Sequence, residues 1–531
     1  MDTRQDVNAD ATVEPAQAPR LLAGATVGVL AAGVALGAAE LLAAAFGPGS
    51  SPIVAVGGTA VDATPEWLKS FAIRTFGEHD KLVLLIGIGV VLAIAAALLG
   101  AASGRRPRLG IAASVVFGAI GAGAALTRPA NDLADAVPSI AGAAAGVLAY
   151  RMLREAAGLP TTTVLEAEPS PSPAMRGYDR RRFLRAGIAA AGITAVAGGL
   201  GRLLTTRASA AASRAAATIP APTDPAPPPP EGADLDVAGT QPFLTPNADF
   251  YRVDTSLFVP AIDAETWTLR VHGMVDREIT IDFDELVERP MIGRDITIAC
   301  VSNEVGGPYV GNARWVGPPL ADLLREAGVS EDASQIVSRS ADGFTIGTPT
   351  AVVMDGRDAM LAVSMNGEPL PLEHGFPVRM IVPGLYGYVS AMKWLVELEL
   401  TTLDAYDAYW VQRGWAKEAP IKTQSRIDTP TAGARLAAGR IAVAGVAWAQ
   451  HRGIERVEVR VDDGAWEPAD LGTEDTIDTW RQWLFTWNAT DGSHALSVRA
   501  TDLEGQTQTA DRAAPFPDGA TGHHTVVVEV E

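Results

Sequence analysis

The chain has 531 residues, a length typical of several domains, and only one cysteine. A single cysteine excludes an intramolecular disulfide framework and any multi-cysteine zinc or iron–sulfur site. Residues 1–240 hold 19 basic and 19 acidic side chains, so the whole formal net charge of -20 lies in residues 241–531. An acidic surface of this kind does not suit nucleic acid or anionic lipid headgroups.

Residues 1–205 are rich in Ala, Gly, Leu and Val, in runs as long as the roughly 20 residues that a helix needs to cross a bilayer. The sequence predicts an all-α membrane bundle of about five spans, near residues 21–46, 82–103, 109–127, 136–153 and 186–204. Arginines crowd the second and fourth connections (Arg105, Arg106, Arg108; Arg151, Arg154, Arg176, Arg180). Because positive loops stay inside, the part after the fifth span is predicted to be extracytoplasmic in a multi-pass protein of the cell membrane.

The fifth span opens with YDRRRFLRAGIAAAGITAVAGG (178–199). The arginines within 180–185, followed by Phe-Leu and a weakly apolar helix, resemble a twin-arginine export signal, which a translocase for folded proteins reads. An ordinary positive-inside flank is the alternative. Folded export is typical of proteins that receive a cofactor in the cytoplasm. Glu40, in the first span, is either a functional acid or a residue that reaches the interface.

Beyond the membrane part, composition divides the chain into three segments. Residues 206–240 are rich in Ala, Ser and then Pro, which predicts a semi-extended linker. In 241–425, strand-like runs such as WTLRVHG alternate with short helices such as PLADLLREAG, which indicates an α+β domain. In 426–531 short strands dominate and Asp463-Gly464 is a hairpin signal, so an all-β immunoglobulin-like sandwich is predicted.

Cys300, the only thiol, ends the apolar run ITIA and opens the polar loop CVSNEVGG. The residues alone leave three interpretations open: an inert buried thiol, a nucleophile paired with His374, or a soft metal ligand whose other ligands come from a cofactor. His374, Arg379 and Lys393 lie among glycines and prolines in NGEPLPLEHGFPVRMIVPGLYGYVSAMKW (366–394). This composition suits an anionic ligand that carries phosphate.

Two long motifs carry a more specific resemblance. CVSNEVGGPYVGNARWVGPPLADLL (300–324) is similar to the cysteine motif of the sulfite oxidase family of molybdenum enzymes, and the segment 366–394 is similar to that family's pterin-binding segment. TPNADFYRVDTSLFVP (245–260) and the strand-rich C-terminus, which resembles the family's immunoglobulin-like dimerisation domain, extend the resemblance over residues 245–531. It implies a sulfite-oxidase-type molybdopterin domain.

The resemblance also implies a molybdenum-molybdopterin cofactor, with Cys300 as the catalytic residue and the molybdenum ligand. The residues implied to contact the pterin or its phosphate are Tyr251, Arg252, Val253, Asp342, His374, Arg379, Ala391, Met392 and Lys393.

Two departures from the family pattern bear on the substrate. Sulfite oxidases place arginines just after the cysteine motif, whereas Asn303 is followed here by Glu304 and Val305, and a negative side chain repels sulfite. The family's active-site tyrosine corresponds to YWVQRGWAK, where Trp415 stands in its place with Arg413 close by, so both are substrate-site candidates. The departures resemble the membrane-anchored bacterial branch, some of whose members reduce sulfoxides, including those of methionine residues in proteins.

These features predict a membrane-anchored, extracytoplasmic molybdopterin oxidoreductase for oxygen-atom transfer, with sulfoxide reduction favoured over sulfite oxidation. The alternatives are a sulfite oxidase or dehydrogenase, a catalytically inactive envelope binding or assembly module, and an acyl transferase that uses Cys300 and His374. The expected partners are a small-molecule or protein-bound sulfur or oxo substrate, a separate electron-transfer protein or quinone, membrane lipid, the twin-arginine translocase and a second copy in a homodimer. Nucleic acid is not expected as a partner.

Overall fold

The computed structural model describes residues 17–46, 48–65, 68, 71, 75–76, 80–104, 106–128, 132–159, 180–202 and 208–531. Arg105 and Arg176, two of the arginines used to predict the topology, lie outside the described residues. The chain divides into two compact units, Met1–Arg207 and Ala208–Glu531.

The first unit is built from α-helices: α1 (Gln17–Phe46), α2 (Pro52–Ala63), α3 (Asp80–Ala102), α4 (Pro107–Leu126), α5 (Val137–Ala156) and α6 (Arg180–Arg202). Four stretches in the described part of the chain are long and apolar enough to cross a membrane: Leu21–Phe46, Lys81–Ala102, Pro107–Leu126 and Leu133–Ala156. They coincide with the first four predicted spans. The predicted fifth span falls on α6, which is helical but is not among the four, because arginines at both ends flank a stretch of mostly Gly and Ala. The expected count of five spans is therefore not confirmed.

Small residues bring the helices of the first unit close together. A Cβ atom on Gly100 of α3 would lie 2.4 Å from the carbonyl oxygen of Gly24 in α1, so a larger residue cannot stand at this crossing. Near the end of α1, a carboxylate oxygen of Glu40 accepts a hydrogen bond of 2.7 Å from Oγ of Ser51, the residue that caps α2. Glu40 thus connects α1 to α2, which gives it a structural role.

The second unit begins with α7 (Ala208–Ala216), inside the segment predicted to be a linker. Arg214 Nε donates to the carbonyl oxygen of Leu370 at 2.8 Å, and the N–H of Thr223 donates to the carbonyl oxygen of Met291 at 2.9 Å. Asp224 forms an isolated β-bridge with Ile292. The described residues 208–240 therefore lie fixed along the surface of this unit. The segment predicted to be a linker is thus bonded to this unit through several of its backbone groups.

The α+β part of the second unit contains, in chain order, β1 (Thr268–Gly273), β2 (Ile279–Asp282), α8 (Phe283–Val287), β3 (Ile292–Ala299), β4 (Val310–Gly317), α9 (Leu320–Ala327), β5 (Gln335–Ser340), β6 (Thr345–Pro349), α10 (Thr350–Met354), β7 (Met360–Ala362), β8 (Ser364–Met365), β9 (Glu368–Pro369), β10 (Arg379–Ile381), α11 (Gly387–Ser390) and β11 (Leu395–Thr401). One sheet has the order β2-β1-β11-β5-β6, a second has the order β3-β4-β8-β9, and β7 pairs with β10. The pair β1–β11 is parallel and the other named pairs are antiparallel.

The C-terminal part contains β12 (Gln424–Thr429), β13 (Arg435–Leu436), β14 (Gly439–Trp448), β15 (Ile454–Val461), β16 (Glu467–Pro468), β17 (Asp470–Leu471), β18 (Arg481–Ala489), β19 (Gly492–Asp502) and β20 (His524–Val530). Its two sheets have the orders β12-β14-β18-β17 and β13-β20-β19-β15-β16. Val443, Trp483 and Val528 are fully buried in its core, as expected for alternating strand residues between two sheets. The predicted all-β sandwich is confirmed. Trp448 and Trp480 of this sandwich, in turn, belong to the core of the α+β part.

Candidate functional site

Cys300 directly follows β3, where the pairing of that strand with β4 ends. Its N–H donates to the carbonyl oxygen of Tyr309 at 3.0 Å, which closes the intervening loop. Its Sγ lies 3.0 Å from Oγ of Ser302, and the residue is partly exposed. Desolvation of the sulfur raises the pKa of the Cys300 thiol, while the bond to Ser302 and the charge of Lys393 act in the opposite direction. Such a thiol keeps its proton at neutral pH and gives it up when a metal ion binds.

Arg379, on β10, is a buried cation. Its guanidinium lies 5.1 Å from the ring centroid of Trp315, and its Nη1 donates to the carbonyl oxygen of His374 at 3.2 Å. Its Nε is buried and has no hydrogen-bond partner among the described residues. Burial lowers the pKa of Arg379 to about 10, so the side chain is still charged at neutral pH. A charged group with an unused donor is costly unless an anion completes its bonding.

Lys393 is a second buried cation. Its Nζ lies 2.9 Å from Oδ2 of Asp254 and donates to the carbonyl oxygen of Glu373 at 3.1 Å. Burial lowers the pKa of Lys393 to about 8; Arg379 contributes to this lowering, while Asp254 opposes it. Nε of Arg252 lies 2.9 Å from the same Oδ2. Two cations, Arg252 and Lys393, therefore face a single carboxylate, and Arg379 adds a third positive charge close to Lys393.

His374 is neutral. Burial, together with the charges of Arg379 and Lys393, lowers the pKa of His374 to about 3. Its Nε2 lies 3.2 Å from the carbonyl oxygen of Asn247, and a carbonyl only accepts, so Nε2 carries the proton and Nδ1 is an acceptor. The structure shows no hydrogen bond between His374 and Cys300. An imidazole with so low a pKa is also a weak base, which disfavours the Cys–His nucleophile.

Tyr251 lies between this cluster and Cys300. Its ring stacks on Phe250 with centroids 5.3 Å apart and lies 6.2 Å from the ring of Tyr309. Burial raises the pKa of Tyr251, and the negative charge of an ionised Cys300 adds to this, so the phenol stays protonated. The neighbouring Val253, in contrast, is 39% exposed, and its side chain is not in the buried cluster.

The remaining predicted cofactor residues are placed by backbone contacts. The N–H of Met380 on β10 donates to the carbonyl oxygen of Met392 at 2.8 Å, and the N–H of Ala391 donates to that of Gly387 at 3.0 Å. Asp342 lies in the turn between β5 and β6, where its Oδ1 accepts a hydrogen bond from the N–H of Phe344. Ala391 and Met392 directly precede Lys393 in the chain, whereas Asp342 bonds to Ser340 and Phe344 within its own turn.

The two substrate-site candidates have different surroundings. Arg413 donates from Nη1 to the carbonyl oxygen of Tyr409 at 2.7 Å, and its guanidinium stacks 3.5 Å from the centroid of that ring. Trp415 is 8% exposed and lies 5.9 Å from the ring of Tyr388. Its Nε1 has no hydrogen-bond partner in the part of the chain that the structure describes. Trp415 therefore offers an unused donor, whereas Arg413 is held against Tyr409.

Sequence reasoning missed two residues of this site. Asp254 is 5% exposed at its side chain and joins Arg252 to Lys393. Its signal was present, since it lies two residues after Arg252 in a segment that the resemblance had already singled out. Asn303 is buried; its Oδ1 accepts from the N–H of Tyr309 at 2.8 Å, and its Nδ2 has no partner among the described residues. Nothing in the sequence distinguishes this amide from an ordinary loop residue.

The buried groups fit an anionic cofactor. Arg252, Arg379 and Lys393 together exceed the charge of Asp254, and Nε of Arg379 is left without a partner in the described structure. A phosphate would balance this charge and accept the unused hydrogen bond. The thiol of Cys300 is a soft ligand that suits a metal in the same cofactor. The donor set is thus that of a site for a metal-bearing, phosphorylated group.

Family profiles agree with this chemistry. A profile described as an oxidoreductase molybdopterin binding domain matches residues 256–410, and one described as a bacterial Ig domain matches residues 424–498. The first range includes Cys300, His374, Arg379 and Lys393. The fold and the site thus define a molybdopterin-binding oxidoreductase domain followed by an immunoglobulin-like domain.

The chain is also similar to known proteins. The mitochondrial sulfite oxidase of Homo sapiens is 29% identical over 326 residues, which cover 52% of this chain and 59% of that protein. The uncharacterized oxidoreductase YuiH of Bacillus subtilis is 32% identical over 153 residues, which cover 29% of this chain and 74% of that protein. The sulfane dehydrogenase SoxCD of Paracoccus pantotrophus aligns with a TM-score of 0.48 at 23% identity, covering 54% of this chain and 84% of that one.

The chain belongs to the sulfite oxidase family of molybdopterin-dependent oxidoreductases, whose cofactor is molybdenum-molybdopterin. It spans 59% of the length of the human sulfite oxidase that it matches.

Proposed function

We propose that this protein is a membrane-anchored, extracytoplasmic molybdopterin oxidoreductase that transfers an oxygen atom to or from sulfur, and that sulfoxide reduction is its preferred reaction. One observation carries the proposal. The only thiol of the chain, Cys300, lies within electrostatic range of a buried group of cations that holds more positive charge than its single carboxylate balances. This arrangement matches a cofactor that combines a thiolate-bound metal with a phosphate.

Each side chain would have a distinct task. Cys300 would hold molybdenum, and Arg379 and Lys393 would neutralise the phosphate, with Arg252 beside them. His374, neutral with a free acceptor at Nδ1, would accept a hydrogen bond from the pterin. Tyr251, Val253, Asp342, Ala391 and Met392 remain proposed contacts. When bound, the cofactor supplies two-electron oxygen-atom transfer at the metal.

The residues after Cys300 favour a neutral substrate. Asn303 is followed by the exposed Glu304 and by Val305, where the resemblance leads us to expect arginines in a sulfite oxidase. A carboxylate in the loop after Cys300 would repel a sulfite anion and leave a neutral sulfoxide unaffected. The name of the human relative favours sulfite oxidation, which is therefore the second candidate.

The remaining assignments follow from the topology that we propose. The membrane domain would comprise residues 1–205, the linker 206–240, the catalytic domain 241–425 and the immunoglobulin-like domain 426–531. Export through the twin-arginine translocase would follow loading of the cofactor in the cytoplasm. The single cysteine cannot hold an iron–sulfur cluster, so a separate protein or a membrane quinone would supply or accept the electrons. A homodimer is compatible with the C-terminal domain.

The first test is the metal content of the full-length chain, purified from a host that makes the pterin and measured by elemental mass spectrometry. We expect about one molybdenum per chain in the wild type and a large loss in Cys300→Ser, because the serine hydroxyl is a poor ligand for a soft metal. Arg379→Gln should lower the loading. Arg339→Gln is the matched control, because Arg339 pairs with Glu397 and Glu399.

Turnover is measured on the loaded protein with sulfite and an electron acceptor, and with methyl phenyl sulfoxide and an electron donor. If sulfoxide reduction is the faster of the two reactions, the result supports the proposed function. If sulfite oxidation is faster, the second candidate, a sulfite oxidase, takes its place. A chain without molybdenum from the same host would overturn both and leave the envelope binding module.

A further inference from the structure

A loop of the C-terminal sandwich lies against the catalytic domain. This loop, residues 511–522, is part of the connection between β19 and β20. The N–H of Ala416 donates to the carbonyl oxygen of Pro517 at 3.1 Å. Nζ of Lys422 lies 2.9 Å from Oδ1 of Asp518 and donates to the carbonyl oxygen of Gly519 at 2.7 Å. The loop is therefore fixed to the segment that contains Trp415, and its side chains hold defined positions there.

Phe516 in this loop completes a group of aromatic rings. Its ring meets that of Trp415 edge to face, with centroids 5.4 Å apart. Trp415 in turn lies 6.1 Å from Trp410 and 5.9 Å from Tyr388. We call these four residues the aromatic wall. Phe516 is 50% exposed whereas Trp415 is 8% exposed, so Phe516 forms the outer end of the wall.

The backbone that precedes Tyr388 lies close to the strand that ends at Cys300. A Cβ atom on Gly387, the residue before Tyr388, would lie 3.6 Å from the carbonyl oxygen of Ala299, the residue before Cys300. The Tyr388 phenol itself donates a hydrogen bond of 2.7 Å to the carbonyl oxygen of Ala416. The aromatic wall thus runs from Tyr388, one residue away from this contact, to the protein surface.

One polar atom in the aromatic wall is unused. Trp415 is more than nine-tenths buried, and its Nε1–H has no acceptor among the described residues. Apolar sites with a few placed polar groups orient ligands that have an apolar body and a matching polar atom. Sulfur also makes favourable contacts with aromatic rings. An organic sulfoxide offers all three features, since it has an apolar substituent, a sulfur atom and one acceptor oxygen.

We propose that Phe516 is a specificity-determining residue, with which the sandwich domain selects organic sulfur substrates that carry a large apolar substituent. The proposal rests on the proposed oxygen-transfer function of the Cys300 site. It goes beyond that function, because it gives the C-terminal domain a part in substrate recognition. A small inorganic oxyanion would gain nothing from Phe516.

The test compares methyl phenyl sulfoxide with dimethyl sulfoxide on the molybdenum-loaded, full-length protein. In Phe516→Ala the ratio of the two kcat/KM values should fall roughly tenfold, mainly through the KM of the phenyl compound, because aromatic contacts are lost. Phe516→Leu, which keeps an apolar side chain, should lie between wild type and Phe516→Ala. Leu503→Ala is the control, because Leu503 is a similarly exposed apolar residue of the same sandwich, at 52%.

An unchanged ratio in Phe516→Ala, or an equal fall in Leu503→Ala, would overturn the proposal. Calorimetric binding of methyl phenyl sulfoxide without any reductant separates this proposal from the proposed function. If neither sulfoxide is turned over but Phe516→Ala still weakens binding roughly tenfold, the sulfoxide function fails and the role of Phe516 stands. If the phenyl compound does not bind the loaded wild type, the role of Phe516 fails as well.

Discussion

Gly306 lies directly against the ring of His524: a Cβ atom on Gly306 would be 2.2 Å from Cδ2 of that ring. The loop that follows Cys300 therefore touches β20 of the sandwich. Nη1 of Arg426 adds a hydrogen bond of 3.0 Å to the carbonyl oxygen of the next residue, Gly307. The sandwich thus supports the cysteine loop at one end and the aromatic wall at another.

Gly306→Ala should destabilise the second unit and lower its molybdenum content. Gly306 has a φ of +80°, where alanine is strained, and the added methyl group would overlap His524. We expect a loss of about 2–4 kcal/mol in the free energy of unfolding, from strain and overpacking together. Gly433→Ala is the matched control, with a φ of +76° and open space around a Cβ atom, and should lose about 1 kcal/mol. Urea unfolding and elemental analysis measure both effects.

The double variant Gly306→Ala with His524→Ala isolates the contact. Removing the ring makes room for the methyl group, so the double variant should recover part of the lost molybdenum content. Equal losses in Gly306→Ala and Gly433→Ala would show instead that backbone strain alone matters and that His524 does not support the loop.

The grouping of Arg379 with Lys393 could be predicted from sequence because the two cations are close together along the chain. Arg379 and Lys393 lie within one segment of 29 residues, whose composition already indicated an anionic ligand. Phe516 and His524 could not be predicted in this way. More than 200 residues separate them from Cys300, and only the pairing of the sandwich strands and the docking of the sandwich bring them together.

The same limit applies to the linker and to the fifth span. Proline content indicates that residues 217–240 are extended, but it carries no information about the surface to which they bind. Arg214 is a single cation in an alanine-rich stretch, and its acceptors Leu370 and Glu368 lie about 150 residues away. In α6 the arginine motif was clear, whereas the apolar content is marginal for a span. Composition therefore predicted the helix, but it did not determine whether the helix crosses a membrane.

His374 should make stability dependent on pH. Its pKa in the folded protein is about 3, below its ordinary value of 6.5. Between these values the unfolded chain binds a proton that the folded protein does not, so stability is complete above pH 6.5 and is lost as the pH falls. His374→Gln keeps a donor for Asn247 without titrating. When the pH falls from 7 to 5, the free energy of unfolding of the wild type, measured with urea, should decrease by roughly 1–2 kcal/mol more than that of this variant.

His494 provides a control of opposite sign. The hydrogen bond that Nδ1 of His494 donates to Asp462 raises the pKa of His494, so the contribution of this bond to stability is complete at low pH and is lost as the pH rises. The wild type should therefore gain stability relative to His494→Gln when the pH falls from 7 to 5. If the wild type loses no more stability than His374→Gln between pH 7 and pH 5, this result would contradict the neutral, buried state of His374.

Asp254→Asn should affect the cofactor-free protein more than the loaded one. Without the cofactor, Asp254 is the carboxylate that faces both Arg252 and Lys393, and its removal also lowers the pKa of Lys393 further below about 8. In the cofactor-free protein we expect the free energy of unfolding to fall by about 3 kcal/mol, because breaking a buried ion pair leaves a charge uncompensated. A bound phosphate would supply the missing negative charge. Asp322→Asn, which breaks an exposed pair with Arg325, should cost under about 1 kcal/mol.

Unfolding of Asp254→Asn is compared with that of the wild type in protein from a host that makes the pterin and in protein from a host that cannot make it. Equal losses in the two preparations would place the phosphate away from Lys393.

Glu304→Gln should improve the use of sulfite and leave a neutral sulfoxide unaffected. Glu304 is exposed in the loop after Cys300, where its charge raises the free energy of an approaching anion. At low salt we expect kcat/KM for sulfite to rise about three- to tenfold, and the gain to shrink at high ionic strength because exposed charges are screened. Glu331→Gln is the control, because it removes an exposed carboxylate elsewhere in the same domain. It should leave kcat/KM unchanged for both sulfite and the sulfoxide. A sulfoxide rate that rises together with the sulfite rate would mean that Glu304 acts on the loop conformation, and its charge would then no longer explain a preference against sulfite.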